Sequence, residues 1–353
     1  MLTWTRNTRP SASTRYLPLI CLLLALAAPA VGIANPGKTP TAGLQGDIKV
    51  MPGVIHATKA QNDVGDDNER IDSLDQSASS ETEVIPIVLW NLGYTFDNLK
   101  TSLYAGTPTS NIVKGTYFLE IGASHRLDNG TTLSLSWIPE LPLIDDEVWK
   151  DPFLTGVDRE ETDRTSQGFQ AKAEDIFGSP FFVSYAFAVN DIDEEESGQG
   201  YTDGDGNPLT DEELLSLRRS SEVHFVETGF RLPVSRSIIL GATLDALHNE
   251  ADGKAHRFDQ LGGKVSMIFR HPVFQAFSTV SYHRADFDGT HPVFDKKRED
   301  RLYSASLGIE APLPFDRLDL AFSMLVRYGR TDSNIDFYEG DTIMGGMGVS
   351  YRF

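Results

Sequence analysis

The last eleven residues place an apolar or small side chain at every second position: Ile343, Gly345, Met347, Val349, Tyr351 and Phe353 alternate with Met344, Gly346, Gly348, Ser350 and Arg352. A period of two sends successive side chains to opposite faces of a strand, so one face is greasy throughout and the other is free to be polar. The pattern repeats at regular intervals toward the amino terminus. Apolar faces run from Leu318 to Tyr328, Tyr303 to Ala311, Phe274 to Tyr282, Leu261 to Phe269, Ile238 to Ala246, Val226 to Leu232, Phe181 to Val189 and Phe169 to Ala173. Others run from Leu133 to Trp137, Tyr117 to Ala123, Leu99 to Leu103 and Val88 to Phe96, and Leu44, Ile48, Val50 and Val54 supply a fourteenth.

A strand that turns its apolar face to hydrocarbon can leave no backbone group unpaired, so such a set must close on itself, and single-chain bacterial barrels close with even numbers. The expected fold is all-β, a closed antiparallel transmembrane β-barrel of about 14 strands. The connections agree. Short links rich in turn formers fall at Asp97-Asn98, Asp128-Asn129-Gly130, Gly178-Ser179, 233–235, His271-Pro272 and 313–316, and every intervening link is longer. Both termini then lie on the periplasmic side. Pro52 would break a ladder bond, which places it, with Pro86 on the neighbouring strand, near an outer rim where pairing is ending.

Residues 1–34 carry Arg6, Arg9 and Arg15 without an acid, then an apolar run from Leu17 to Ala28, then small residues through Ala34. That order is expected of a secretory signal peptide, and the run is short of the roughly 20 residues of a spanning helix. The single cysteine, Cys21, lies inside it, which excludes a disulfide framework and any cysteine-rich metal site. Residues 35–43 are read as a short periplasmic segment and 44–353 as the barrel, in the outer membrane of a Gram-negative bacterium.

With 51 acids against 31 bases, the formal net charge is −20, which speaks against holding a nucleic-acid backbone. Three outside loops carry most of it: 58–83 has 8 acids against 2 bases, 142–165 has 8 against 3, and 191–219 has 10 against 2. Such a field attracts divalent cations, which also bridge lipopolysaccharide phosphates. Asp203, Asp205, Asn207 and Asp211 bring hard oxygens into a spacing suited to a weak Ca²⁺ site, although Pro208 and Leu214 occupy the places of a turn glycine and a bidentate Glu. No other cofactor is expected.

The inward faces include Lys114, Glu120, Glu227, Arg231, Asp245, Lys264, Glu310 and Arg327, a mixture of signs that suits a wet lumen crossed by ion pairs. Ile85, Ile87, Leu89, Phe118, Phe225, Ile239 and Leu325 also face inward, either to guide a greasy substrate or to pack on an inserted segment. Trp149, Lys150, Asp151, Pro152 and Phe153 set large or rigid residues inside a charged loop. They are expected to fold inward as a constriction or docking ledge, with Lys150 or Asp151 pairing below the rim; a loop-on-loop core is the alternative. Neither H-E-x-x-H nor G-x-S-x-G occurs, so no enzyme is expected.

Val148-Trp149-Lys150-Asp151-Pro152-Phe153-Leu154-Thr155-Gly156, Ala251-Asp252-Gly253-Lys254-Ala255, Pro292-Val293-Phe294 with Lys296 and Arg298, and 332–338 resemble a family of proteobacterial outer-membrane proteins that carries only a domain-of-unknown-function label. The segment from Ser333 also resembles the barrel of surface lipoprotein assembly modifiers, which implies lipoprotein export; their large periplasmic repeat domain has no counterpart in residues 35–43. The reading from the residues is a porin-like channel for small solutes. A non-conducting surface protein binding cations, lipopolysaccharide or a partner is the alternative from another class. The terminal Phe353 marks the strand expected to meet the barrel assembly machinery.

Overall fold

The computed structural model describes residues 41–64, 68–75, 79–107, 119–139, 147–313 and 319–353. The proposed leader, Lys114 and Phe118 lie outside them. Among the described residues fifteen strands follow in chain order: β1 (Gly43–Lys59), β2 (Ser79–Thr95), β3 (Thr101–Gly106), β4 (Glu120–Arg126), β5 (Thr132–Ile138), β6 (Glu147–Trp149), β7 (Glu161–Glu174) and β8 (Phe181–Ile192). The remainder are β9 (Ser221–Pro233), β10 (Ile238–Ala251), β11 (Phe258–His271), β12 (Phe274–His291), β13 (Lys296–Pro312), β14 (Leu320–Ser333) and β15 (Gly340–Arg352). Each is antiparallel to its neighbour, β5 pairs directly with β7, and β15 pairs with β1. The result is a closed barrel of 14 staves. The short β6 pairs with β7 from Glu147↔Asp163 to Trp149↔Glu161 and forms no stave.

Closure is finished by the carboxy-terminal residue. Phe353 donates its N–H to the Gly46 carbonyl at 3.1 Å and accepts from the Gly46 N–H at 3.2 Å. Its ring lies where a Cβ on residue 46 would stand, 2.7 Å away, so glycine there is a packing requirement.

The outward register follows the expected alternation, with Leu244, Val265, Val280 and Met347 exposed on the lipid-facing surface. Aromatic pairs mark both interfaces, as membrane barrels require. Near the short turns, Phe181 meets Phe230 at 6.1 Å and Tyr351 meets Phe353 at 5.7 Å; near the outer side, Tyr282 and Tyr303 are 5.2 Å apart.

Two sequence expectations change. Pro52 and Pro86 stand directly opposite each other, but the β1–β2 ladder continues beyond them to Lys59↔Ser79. Pairing with β15 passes from Val50↔Val349 to Gly53↔Gly346, so Pro52 sits where that ladder is already interrupted. Among the described residues, the β2–β3 pairing runs only to Asn91, short of Pro86. The missing N–H of Pro52 falls in the β1–β15 interruption. Second, the strands climb into the segments read as loops: 58–59, 79–83, 161–165 and 191–192 are strand.

Candidate functional site: loop lid and barrel interior

Among the described residues, six outside connections meet in one place. Ile71 (β1–β2), Phe153 (β5–β7), Leu217 (β8–β9), Ala255 (β10–β11) and Ile335, Phe337 and Tyr338 (β14–β15) are buried in one hydrophobic core, with Val293 and Phe294 (β12–β13) packed on it. These six loops rise from strands spaced around the ring. A single core built from all of them must lie across the mouth, and we call it the lid.

Aromatic packing makes the lid specific. Phe153 lies 5.5 Å from Phe337 and 6.0 Å from Phe294, centroid to centroid. Buried polar groups then fix the loop backbones. The Asp151 carboxylate accepts from the N–H groups of Phe153 (3.0 Å), Gly198 (2.9 Å) and Gly200 (2.9 Å). Arg159 donates to the carbonyls of Asn68, Gln61 and Pro152, each at 2.9 Å, and stacks 4.4 Å over the Trp149 ring. Trp149 donates to the Asp63 carbonyl at 3.2 Å. Burial lowers the Arg159 guanidinium to about 10, with Asp151 opposing the shift; the group is still charged at neutral pH. Arg219 ties the third loop in, donating to the Trp149 carbonyl at 2.6 Å while paired with Glu195 at 2.9 Å.

The structure therefore gathers Trp149, Asp151 and Phe153, each 1–3% exposed, into the loop-on-loop core that the sequence left as the alternative to an inward ledge. Lys150 does not reach lumen charges below the rim: it pairs with Glu160 at 3.1 Å and with Glu194, both in outside segments. The four residues of the Ca²⁺ expectation are divided between a turn and a helix. Asp203 spends its carboxylate on the turn itself, accepting from the N–H groups of Asp205 at 2.9 Å and Asn207 at 2.8 Å, which holds its pKa below the ordinary value. Asp211 instead opens the short helix α1 (Asp211–Ser216), capped by Thr210 and Glu213. Among the described residues no group of three acids, histidines or cysteines gathers to hold a metal.

Below the lid, the inner wall has two characters. From β8 to β12 it carries ion pairs: Glu227 meets Lys264 at 2.7 Å and Ser184 at 3.4 Å, and Asp245 meets His283 at 2.9 Å. Glu310 on β13 joins Lys49 at 3.0 Å and also contacts Arg352. Arg231 is nearer the rim, half-exposed and 3.2 Å from Glu174; Glu120 is buried on β4, and Arg327 lies partly buried on β14. The second character is apolar. Met51, Ile87, Leu89 and Leu325 are buried together, with Ile85, Phe277 and Met344 against them. Inward glycines make room for this cluster, since a Cβ at Gly308 would fall 1.9 Å from the Phe277 ring and one at Gly53 2.7 Å from Ile87. Phe225 and Ile239 are not part of it.

The sequence did not identify Arg159, Arg219 or the buried His291 as lid residues, nor Lys49, Met51 and Phe277 as wall residues. For Met51 and Phe277 the signal was present, as inward positions in the same register as Ile87 and Leu325. Arg159 and Arg219 bind mainly carbonyls or residues remote in sequence, which no local pattern announces.

The family described as protein of unknown function (DUF2860) matches residues 43–352, the whole barrel with its lid. The chain belongs to this family. No curated protein matches it. Solved structures similar to this DUF2860 barrel include the CymD monoaromatic hydrocarbon channel, 9% identical over 88% of this chain and 89% of that one, with a TM-score of 0.44. The outer-membrane channel DcaP of Acinetobacter baumannii is 10% identical over 90% and 99%, at 0.41. An anion-selective porin from Comamonas acidovorans is 8% identical over 88% and 98%, at 0.39.

Proposed function

We propose that this outer-membrane barrel is a gated channel for small solutes, with the loop lid as its outer gate. The observation that carries this reading is the lid: six loops fold together across the mouth of a barrel whose inner wall carries charged groups. Loops that only kept the protein soluble would not need a shared aromatic core. Loops that block a passage need one that is stable when shut and dispersible when open.

The apolar cluster on β1, β2, β12, β14 and β15, together with the ion pairs of β9–β12, suits solutes with one polar and one apolar side better than small ions alone. Liposome swelling tests this. Purified barrel in liposomes is challenged with isosmotic sugars and with small aromatic acids, alongside Phe153→Asp, which puts a charge into the lid core. The variant is expected to admit the solutes several-fold faster than the native protein, aromatic acids ahead of sugars of equal size. Impermeable liposomes with correctly inserted Phe153→Asp would contradict a channel and favour a surface protein whose folded loops bind a partner.

A further inference from the structure

We infer that the lid is an acid-released gate with His256 and His291 as its proton sensors. This rests on reading the lid as the channel's gate and adds how that gate is controlled.

His291 ends β12 at the centre of the lid and is fully enclosed. Its Nε2 meets the Tyr338 hydroxyl at 2.9 Å, whereas its Nδ1 is buried with no partner. Its ring packs against Phe294 at 4.8 Å, Phe153 at 5.1 Å and the ring of His256 at 5.8 Å. His256, on the β10–β11 loop, is half-buried as a residue but encloses its Nε2 without a partner. Each imidazole thus has one nitrogen facing nothing that accepts a proton. In the neutral tautomer protonated on the other nitrogen, it is an unused acceptor. Once protonated, it becomes a buried charged donor with no acceptor, which an apolar core tolerates poorly.

The surrounding charges do not relieve this. Arg219 from the β8–β9 loop and Arg298 from β13 both act on His256, and Arg298 also acts on His291. Arg298 lies 3.6 Å over the Tyr338 ring. Arg257 adjoins His256, and Lys296 is the exposed cross-strand neighbour of His291. The nearby acids are already engaged: Glu195 with Arg219 at 2.9 Å, Asp300 with Arg298 at 2.6 Å, and Glu250 with Arg257 at 2.8 Å. Tyr338, raised to about 12 chiefly by burial, supplies no charge. Burial, reinforced by Arg298, lowers His291 to about 3, and burial with His291 and the arginines holds His256 well below its ordinary value.

With the loops apart, both rings meet water and titrate near 6.5. The closed lid is therefore favoured above about pH 6.5. As the pH falls below it, the open state takes up protons that the closed state refuses. The closed-to-open ratio drops about tenfold per pH unit for each histidine, about a hundredfold for the two, until the pH approaches the closed-state values.

The test uses Trp149, buried in the lid. With Trp4, Trp90 and Trp137 changed to Phe, it becomes the sole tryptophan, and its quenching by acrylamide is followed from pH 7.5 to 4.5 in the membrane-inserted barrel, with bilayer current recorded in parallel. Quenching is expected to rise several-fold across that range, to stay flat in His256→Phe/His291→Phe, and to rise less steeply in His291→Gln. Heat-modifiable migration checks that each variant is folded. Equal shielding of Trp149 at both ends of the range, or the same acid exposure in the double variant, would overturn the proposal. Acid exposure of Trp149 with no current at any pH would uphold the acid release and contradict the channel.

Discussion

Arg159 shows how one residue can govern a fold that local sequence does not announce. Its guanidinium spans carbonyls from the β1–β2 loop and from Pro152 in its own loop, at sequence separations of 91, 98 and 7 residues. Arg159→Met removes these donors while keeping much of the side-chain bulk against Trp149. Each enclosed carbonyl left without a partner costs about 1–3 kcal/mol. We expect Trp149 of this variant to become quenchable at pH 7.5 while the barrel's heat-modifiable migration is unchanged; a shielded Trp149 would show that Arg159 does not hold the lid. Trp149 and Phe153 were legible as misplaced apolar residues in an acidic loop. Their partners were not, because Ile71, Leu217 and Ile335 come from three different loops remote in sequence.

At the level of the strand, reading the sequence works where a bilayer imposes alternation and fades where it stops. Lipid makes one face uniformly apolar, so the membrane portions of all 14 staves were visible. Above the outer aromatic belt both faces can be polar: Arg284, Asp286 and Glu299 point outward there and pair with one another at 2.8 and 3.1 Å. Those outer halves were therefore read as loop. Phe322 lies within the membrane portion on an outward position of β14, between buried Ala321 and Ser323. Phe322→Arg should cost roughly 2–4 kcal/mol in a denaturant titration of the lipid-inserted barrel. A loss below a few tenths would mean the faces are reversed. Gly46→Val, which collides with the closing Phe353, should lower the yield of heat-modifiable barrel in outer-membrane fractions, as should deletion of Phe353. Undiminished yield in both would contradict closure through this contact.

On the scale of the whole molecule, the chain combines a rigid cylinder with a cap whose stability is separable from it. The cylinder is held by continuous ladders, whereas the cap depends on one aromatic core and a few enclosed polar contacts, so perturbing the cap should leave the cylinder standing. Only part of this was readable: the loops' acidity was evident, whereas their convergence stood only as the alternative reading of 149–153. Single-channel recording in planar bilayers tests the central claim most directly. At pH 7.5 the native barrel is expected to insert with rare, brief openings, and Phe153→Asp to show discrete, long-lived steps of the same unit conductance. Silent insertion of Phe153→Asp at high protein load, with heat modifiability intact, would show that opening the lid opens no passage.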